Sequence, residues 1–252
     1  DLLIYDGLHE YFYGYHMGMT AENIAARYGI SRTEQDELGV QSHNRALAAI
    51  KEGLFKEEIA EVLVPQRRGE PLSFKVDERP METSLEKMSK LRTAFKKDGS
   101  VTAGNASGIN DAAAALLLMA EDKARELGIQ PLVKIKAYSS AGLDPAYMGL
   151  GPIPAVRKIL AGHNYTITDF GAIELNEAFA VQALACMQEL GCDLEKTNRQ
   201  GSGISLGHPI GCTGARILVT LMKQVQRENL ELGLASLCIG GGQGMAMVLE
   251  NI

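Results

Sequence analysis

Strand and helix patterns alternate along the second half of the chain, downstream of Gly128. Apolar runs of strand length are separated by segments with helical spacing, and turn residues lie between them. In chain order, the sequence predicts a strand at 132–139, a helix at 153–161, a buried strand at 170–175, a helix at 177–190, a helix at 213–227, and strands at 233–240 and 245–251. This order is typical of an α/β fold in which helices cover a sheet.

The first half of the chain is charged and mostly helical in pattern. Thr20 is expected to cap a short helix over 21–28. Ser31 and Glu34 form a capping-box pattern, which predicts a longer helix that runs to about Lys51.

Two further stretches of the chain stand out by composition. Residues 65–80 are rich in Pro, Arg and Gly, and we expect an extended loop or short edge strands there. Residues 111–127 are strongly apolar and predict a helix that ends at Gly128. Eleven of the 27 glycines lie between Gly191 and Gly244, which indicates close backbone approach at a site.

Composition excludes several classes of protein. The chain has 252 residues, 46% of them hydrophobic, so it can bury a large core and general disorder is excluded. The longest apolar run, 112–120, is far shorter than the roughly 20 residues that span a bilayer. The net charge is −6 and no long basic tract is present, which argues against non-specific nucleic-acid binding.

The four cysteines are scattered, without the spacing of a metal or redox motif. Cys186, Cys192, Cys212 and Cys238 lack a CxxC pair, and a chain of this size does not need disulfides. We expect reduced thiols in a reducing compartment, the cytoplasm. A metal site is not expected, because a histidine with scattered cysteines leaves the ligand set incomplete.

The segment 20–39 resembles a helix-turn-helix DNA-binding unit, with two capped helices around a glycine turn. Its second helix would begin with Glu34, Asp36 and Glu37, close to where DNA phosphates would lie. Like charges there lower affinity, and no cluster of Lys and Arg offsets them. An ordinary helical hairpin is the favoured interpretation.

Nucleotide-binding loops are a second hypothesis. The segment GSGISLG at 201–207 has the form GxGxxxG, and GHPIGCTG at 207–214 resembles a phosphate loop. However, a dinucleotide fingerprint follows an apolar strand, whereas residues 195–200 are polar, and no Lys–Ser/Thr pair follows either glycine loop. Both signals are weak.

Three segments carry polar residues at predicted strand or loop ends: NEAFA (176–180), GHPIG (207–211) and CIGGGQG (238–244). Such ends are the usual place for chemistry on an α/β sheet. A lone histidine or cysteine is more often structural. The coincidence of the Asn176 amide, the His208 imidazole and the Cys238 thiol nevertheless favours a catalytic site.

With these segments in place, the chain resembles the thiolase family, and most closely its short-chain acetyl-CoA acetyltransferases. The matching motifs run from end to end of the chain: GYHMGMTAEN (14–23), KLRTAF (90–95), TAGNASGINDAAAALLLM (102–119), GPIP (151–154), NEAFA, GHPIGCTGAR (207–216) and LCIGGGQG (237–244). Several of them are long and specific.

The resemblance implies a layered α/β/α/β/α fold made of two similar halves, with a loop domain inserted in the first. On that basis, residues 1–100 would be the loop domain on the CoA-binding side, 101–129 the end of the first half, and 130–252 the complete second half. Thiolases carry their nucleophilic cysteine upstream of the loop domain, and no cysteine of this chain lies in such a motif. The chain, which starts at Asp1, is therefore expected to be the C-terminal two-thirds of a thiolase and inactive alone.

The resemblance also implies roles for four residues. His208 would deprotonate the missing nucleophile, and its unperturbed pKa near 6.5 would suit a base. Cys238 would be the second acid and base, with a thiol pKa lowered by the glycine-rich turn. His208 and a water bound to Asn176 would hold the enolate oxygen, and the amide of Gly240 would form the other oxyanion hole with that of the missing nucleophile.

Contacts to coenzyme A and the acyl group are implied at nine positions: Leu8, His16, Met17, Phe95, Ala103, Ser107, Met148, Ala178 and Phe179. Acetyl-CoA and acetoacetyl-CoA would be the substrates, and no separate cofactor is expected. The complete protein would be a homo-oligomer, a dimer or tetramer, without nucleic-acid or membrane partners. The open alternative is a non-catalytic CoA-binding or assembly subunit that has dispensed with the nucleophile.

Overall fold

The computed structural model describes residues 1–252. Its elements, in chain order, are β1 (His9–Glu10), β2 (Tyr15–His16), α1 (Met17–Tyr28), α2 (Arg32–Glu52), β3 (Val62–Val64), β4 (Leu72–Phe74), α3 (Leu85–Ser89), α4 (Glu121–Glu126), β5 (Val133–Gly142), α5 (Pro152–His163), β6 (Ala172–Leu175), α6 (Ala180–Leu190), α7 (Gly203–Leu206), α8 (Thr213–Arg227), β7 (Leu232–Ile239) and β8 (Gln243–Asn251). Short π-helical or 3₁₀ turns lie at Leu3–Leu8, Pro145–Leu150 and Ile167–Asp169.

The central sheet has four strands in the order β5–β8–β7–β6. β6 and β7 are parallel, whereas β8 pairs antiparallel with both β7 and β5. The four strands predicted downstream of Gly128 are all present, with boundaries shifted by a few residues. Because β6 ends at Leu175 and α6 begins only at Ala180, the NEAFA segment lies mainly in the loop at the strand's carboxyl end.

Helices cover both faces of the sheet. On one face, α5, α6 and α1 share a core of 33 buried residues with the strands. On the other, α8 places Ile217, Leu221 and Val225 at four-residue spacing against Ala235 and Leu249 of the sheet. Each face therefore buries its apolar side chains, and the predicted α/β architecture is confirmed, with the sheet between two helical layers.

The first helices confirm part of the sequence prediction. The capping box of α2 is present, with Ser31 accepting from the backbone of Glu34, and α2 ends at Glu52. The predicted start of α1 is wrong: His16 Nδ1 accepts from the Gly18 amide at 3.0 Å and caps the helix, which begins at Met17, four residues before the expected start at residue 21. Thr20 instead lies inside α1.

The helix predicted over 111–127 is also wrong. Only Glu121–Glu126 is helical, and residues 111–120 have no regular secondary structure. Leu117 and Leu118 are 82% and 62% exposed, so no neighbouring element packs on the apolar face that would stabilise a helix.

None of the helices combines the length and the apolar character that crossing a membrane requires.

The helix-turn-helix hypothesis does not fit the packing of α2. Asp36 is 2% exposed, and the buried face of α2 also includes Leu38 and Ser42. This helix packs against α3, α6 and α7. A helix covered in this way is not free to enter a major groove.

The N-terminus of α5 lies directly on β8. A Cβ atom built on Gly151 would come 2.1 Å from the carbonyl oxygen of Gln243, and one on Gly244 would come 2.1 Å from the carbonyl carbon of Gly151. Both positions therefore require glycine. The contact fixes the start of α5 against the end of the β7–β8 turn, the segment that carries the CIGGGQG motif.

Candidate active site

His208 lies in the loop between α7 and α8, and a polar contact from outside that loop fastens its backbone. The His208 amide donates to Asn110 Oδ1 at 3.3 Å. Gly207 has a φ of 101°, and a Cβ there would come 2.6 Å from the same oxygen. The glycine therefore permits both the turn and the close approach of Asn110.

The imidazole of His208 has a polar partner on each nitrogen. Its Nδ1 lies 2.7 Å from Thr213 Oγ1, and its Nε2 lies 3.4 Å from Asn176 Nδ2. Asn176 follows β6 and is fully buried, while its Oδ1 has no hydrogen-bond partner. The fold thus brings together the imidazole and the amide from two segments that the sequence singled out.

Hydrogen bonds to the residues before and after Asn176 fix its position. Asn198 accepts from the Leu175 amide at 2.9 Å and donates to the Leu175 carbonyl at 2.7 Å and to Glu177 Oε1 at 3.0 Å. Ser42 Oγ donates to Glu177 Oε2 at 2.6 Å. The backbone around the site amide is therefore pinned by hydrogen bonds inside the core.

Burial lowers the pKa of His208 from 6.5 to about 4, and the positive charge of Arg216 adds to the effect. The expectation of an unperturbed imidazole is therefore wrong. At neutral pH the ring is uncharged, so one of its nitrogens carries a free lone pair. A weaker base results, but one that is always in its unprotonated form at pH 7.

Cys238 lies near the end of β7 and is 6% exposed. Burial raises the pKa of its thiol to about 12, so the expected lowering by the glycine-rich turn is wrong. Gly240 lies beneath Met17, since a Cβ there would come 2.8 Å from Met17 Cε. The thiol is thus a protonated group in the core, suited to donating a proton before it can accept one.

A cleft of about 670 Å³ opens at His208. Seven of the residues predicted for the site line it: Leu8, His16, Phe95, Ala103, Ser107, Phe179 and His208. The other predicted residues lie outside its walls: Met17, Met148, Asn176, Ala178, Cys238 and Gly240. Of this second group, Asn176 reaches the cleft through its contact with His208, and the Ala178 carbonyl accepts from the Ser107 amide at 3.0 Å.

Three rings form one wall of the cleft. His16 stacks on Phe95 with ring centroids 4.6 Å apart, and Phe95 meets Phe179 edge to face at 6.1 Å. Since His16 Nδ1 accepts from the Gly18 amide, its hydrogen is on Nε2. Burial lowers the pKa of His16, and nearby His9 lowers it further, so the wall is uncharged at neutral pH.

Two polar residues of the site escaped the sequence analysis. Thr213 could have been found, because it stands five residues after His208 at the start of a predicted helix. Asn110 contacts His208 over a long sequence separation that leaves no local signal. No group of three or more His, Cys, Asp or Glu side chains is placed to hold a metal ion.

Comparison with known proteins gives matches over nearly the whole chain. The family models described as "Thiolase, N-terminal domain" and "Thiolase, C-terminal domain" match residues 1–122 and 129–251. The chain is 53% identical over 252 residues to the acetyl-CoA acetyltransferase of Chromobacterium violaceum, covering 100% of this chain and 64% of that protein.

Solved structures agree in fold. The crystal structure of the Bacillus anthracis acetyl-CoA acetyltransferase superposes with a TM-score of 0.94 at 50% identity, over 97% of this chain and 62% of that one. Human mitochondrial 3-ketoacyl-CoA thiolase in complex with CoA gives 0.90 at 39% identity, over 97% and 61%. The fold is thus an α/β fold of the thiolase type.

The chain spans less than two thirds of the length of these relatives. It matches both domain models, so the comparisons support the family but not the expected placement in the C-terminal two-thirds of a thiolase. By its sequence, its fold and the order of its motifs, the chain belongs to the thiolase family.

Proposed function

We propose that this chain is part of an acetyl-CoA acetyltransferase, which joins two molecules of acetyl-CoA into acetoacetyl-CoA and CoA or catalyses the reverse cleavage. The observation that carries the proposal is the uncharged imidazole of His208, which lies at the cleft with the buried amide of Asn176 at its Nε2. Relatives that bear the name acetyl-CoA acetyltransferase support it.

His208 would remove the proton from the thiol that becomes acylated. The thiolate then adds to the thioester carbonyl, and CoA leaves as a thiolate that takes up a proton. Cys238, held as a thiol by burial, is the proposed donor. In the second half-reaction, the Cys238 thiolate takes a proton from the methyl group of the next acetyl-CoA, and the resulting carbanion attacks the acyl carbon. The C–S bond to the acylated cysteine then breaks, and its sulfur leaves as a thiolate that recovers the proton held by His208.

Negative charge that develops on the thioester oxygen needs hydrogen-bond donors. We assign this role to the Asn176 region in one half-reaction and to the Gly240 amide in the other. Removing one such donor typically raises the barrier by about 2.7–4 kcal/mol. The hydrogen bonds that pin the backbone around Asn176 support the first assignment, because preorganised donors do not reorient during the reaction.

The acylated thiol is proposed to lie outside these 252 residues. Cys186 and Cys238 are buried, and burial raises the pKa of Cys192 to about 11. Cys212 lines the cleft beside His208, but burial also raises its pKa. None of the four thiols therefore has the lowered pKa of an activated nucleophile.

CoA is proposed to enter along the wall formed by His16, Phe95 and Phe179, with Leu8, Ala103 and Ser107 beside it. Met17, Met148 and Ala178 would shape the acyl end from behind that wall. We also propose, as organisation, a loop domain at 1–100, a connection at 101–129 and a second half at 130–252. We further propose that the protein is a homo-oligomer, that it needs no separate cofactor and that it is located in the cytoplasm.

One observation favours a second candidate, a CoA-binding subunit without catalysis: every thiol in the chain is protonated at neutral pH. Thiolysis of acetoacetyl-CoA by the complete protein, with the part that carries the acylated cysteine, measured beside CoA binding by calorimetry, separates the two. Turnover supports the acetyltransferase. Binding without turnover supports the CoA-binding subunit.

In the complete enzyme, replacing His208 by Ala should lower both acyl-enzyme formation and condensation by several orders of magnitude, because His208 takes the proton of the thiol in the first and holds the enolate oxygen in the second. The matched control is His163→Ala, which changes an exposed histidine at the end of α5. Cys212→Ala should retain activity, since that thiol is not the proposed nucleophile. Near-normal acyl-enzyme formation by His208→Ala would show that His208 is structural.

Cys238 can be separated from the acylated cysteine by isotope exchange. Cys238→Ala should abolish exchange of the acetyl-CoA methyl protons with deuterated solvent, followed by mass spectrometry, while slow acylation persists. Replacing the acylated cysteine should leave the exchange intact. The opposite pattern would assign the methyl proton to a different base.

A further inference from the structure

The hydroxyl of Thr213 lies beside Nδ1 of His208. We propose that Thr213 is a positioning residue that selects the His208 tautomer with hydrogen on Nδ1 and the lone pair on Nε2. The catalytic value of this tautomer rests on the proposed function, whereas its existence does not.

The argument is a count of hydrogens. Thr213 Oγ1 lies 2.9 Å from the Pro209 carbonyl oxygen and 2.7 Å from His208 Nδ1. A hydroxyl has one hydrogen, and a carbonyl oxygen can only accept. Because the hydrogen of Thr213 is directed to Pro209, its oxygen can only accept from Nδ1–H.

The contact on the opposite side of the ring is compatible with this assignment. The amide nitrogen of Asn176, a donor, faces Nε2 at 3.4 Å. A hydrogen on Nε2 would point at this donor, whereas a lone pair there can accept from it. Both neighbours of the imidazole are therefore satisfied by one tautomer.

The local fold keeps the hydroxyl in place. Thr213 is the first residue of α8 and is fully buried. The Pro209 carbonyl also accepts from the backbone amides of Cys212 at 2.8 Å and Thr213 at 2.9 Å, so one oxygen connects the loop to the start of α8. The side chain and the loop that carries His208 thus form one hydrogen-bonded unit.

The tautomer matters because a neutral imidazole is a base only at its unprotonated nitrogen. With hydrogen on Nδ1, the lone pair is on the nitrogen that Asn176 faces. With the other tautomer, that nitrogen would present N–H and could not take a proton from a substrate or thiol.

The test reads the tautomer directly, without activity. In the ¹⁵N-labelled protein near pH 7, two-bond ¹H–¹⁵N correlation spectra distinguish a protonated ring nitrogen from an unprotonated one, and His208→Gln identifies the His208 signals. We expect Nδ1–H in the wild type and in Thr213→Ser, and a mixture or Nε2–H in Thr213→Val. Thr220→Val is the matched control, a buried threonine of the same helix whose hydroxyl donates to Glu58.

Kinetics supply a second measurement, on the same variants of the complete protein. Thr213→Val should lower kcat by roughly 10²–10⁴-fold with little change in KM, since a wrongly oriented tautomer removes general-base catalysis of about that size. Thr213→Ser should restore most of the loss. A pure packing role would instead be rescued by valine, which is isosteric with threonine.

Nε2–H in the wild-type spectrum would overturn the proposal even if Thr213→Val failed to fold. An unchanged tautomer in folded Thr213→Val would overturn it as well. Nδ1–H together with an absence of thiolysis by the complete protein would leave this inference standing and reject the proposed function.

Discussion

The two regions of the chain are stabilised in different ways. The C-terminal region, residues 129–252, buries one sheet between two helical layers, and Phe170, Leu175 and Leu234 are almost completely inaccessible to solvent. The N-terminal region, residues 1–128, has only strand pairs of two or three residues per strand. Its irregular segments are attached to its helices by buried carboxylates and amides.

Glu22 in α1 is the strongest example of such an attachment. The residue is 5% exposed, and its carboxylate accepts from the backbone amides of Ser100 and Val101 at 2.9 Å. Asp36 in α2 accepts in the same way from the side chain of Asn105 at 2.8 Å. The comparison teaches that apolar layers order the C-terminal region, whereas a few polar contacts place the loop that leads to the cleft.

The largest expected loss of stability comes from the core of the C-terminal region. Phe170→Ala should lower the free energy of unfolding by about 3–5 kcal/mol, because it removes a fully buried ring and leaves a cavity. Urea unfolding measures the loss, and Phe12→Ala, at a ring that is 70% exposed, is the control. A loss below about 1 kcal/mol would mean that this core is not what stabilises the region.

The matching change in the N-terminal region is Glu22→Ala. It should cost about 1–3 kcal/mol, because the amides of Ser100 and Val101 would be left buried without an acceptor. Limited proteolysis should then cut near residue 100 before the sheet region is attacked. Glu37→Ala, at an exposed position of α2, is the control, and equal protection in both variants would remove the distinction between the regions.

The pH dependence of stability sharpens the comparison at the cleft. The pKa of His208 is about 4 in the folded chain and 6.5 unperturbed, so between these values the unfolded state binds more protons. Stability should therefore fall as the pH drops from 6.5 towards 4, by about 1–3 kcal/mol from this residue. His208→Gln should flatten this slope in denaturant melts, while His163→Gln should not. An equally steep slope in His208→Gln would place the titrating group elsewhere, His43 being the next candidate.

Local sequence predicted the elements whose stability is itself local. The strands β5, β7 and β8 and the capping box of α2 follow from alternation, turn glycines and the Ser31–Glu34 spacing. The segment 111–120 has the composition of a helix but lacks packing, and packing cannot be read from composition.

The features of the candidate site divide in the same way, into those that a local sequence pattern predicts and those that depend on distant segments. The proximity of His208 and Asn176 follows from the rule that polar residues at strand and loop ends meet at one edge of a sheet. The partner Asn110 lies 98 residues from His208 and gives no local pattern. The pKa directions of His208 and Cys238 depend on burial by distant segments, which is why the sequence predicted neither.

The contact between Gly151 and Gly244 has a consequence for how this protein can change over evolutionary time. Most packing faults can be repaired by shrinking the facing residue, but here both facing residues are already the smallest available. A substitution at either position therefore has no compensating partner within the pair, and relief requires α5 to move away from β8. The β7–β8 turn, with the CIGGGQG motif, would lose its backing with it. Substitution at Gly151 and substitution at Gly244 are thus restricted jointly. Sequence variation in the motif is limited by the contact of its Gly244 with the start of α5.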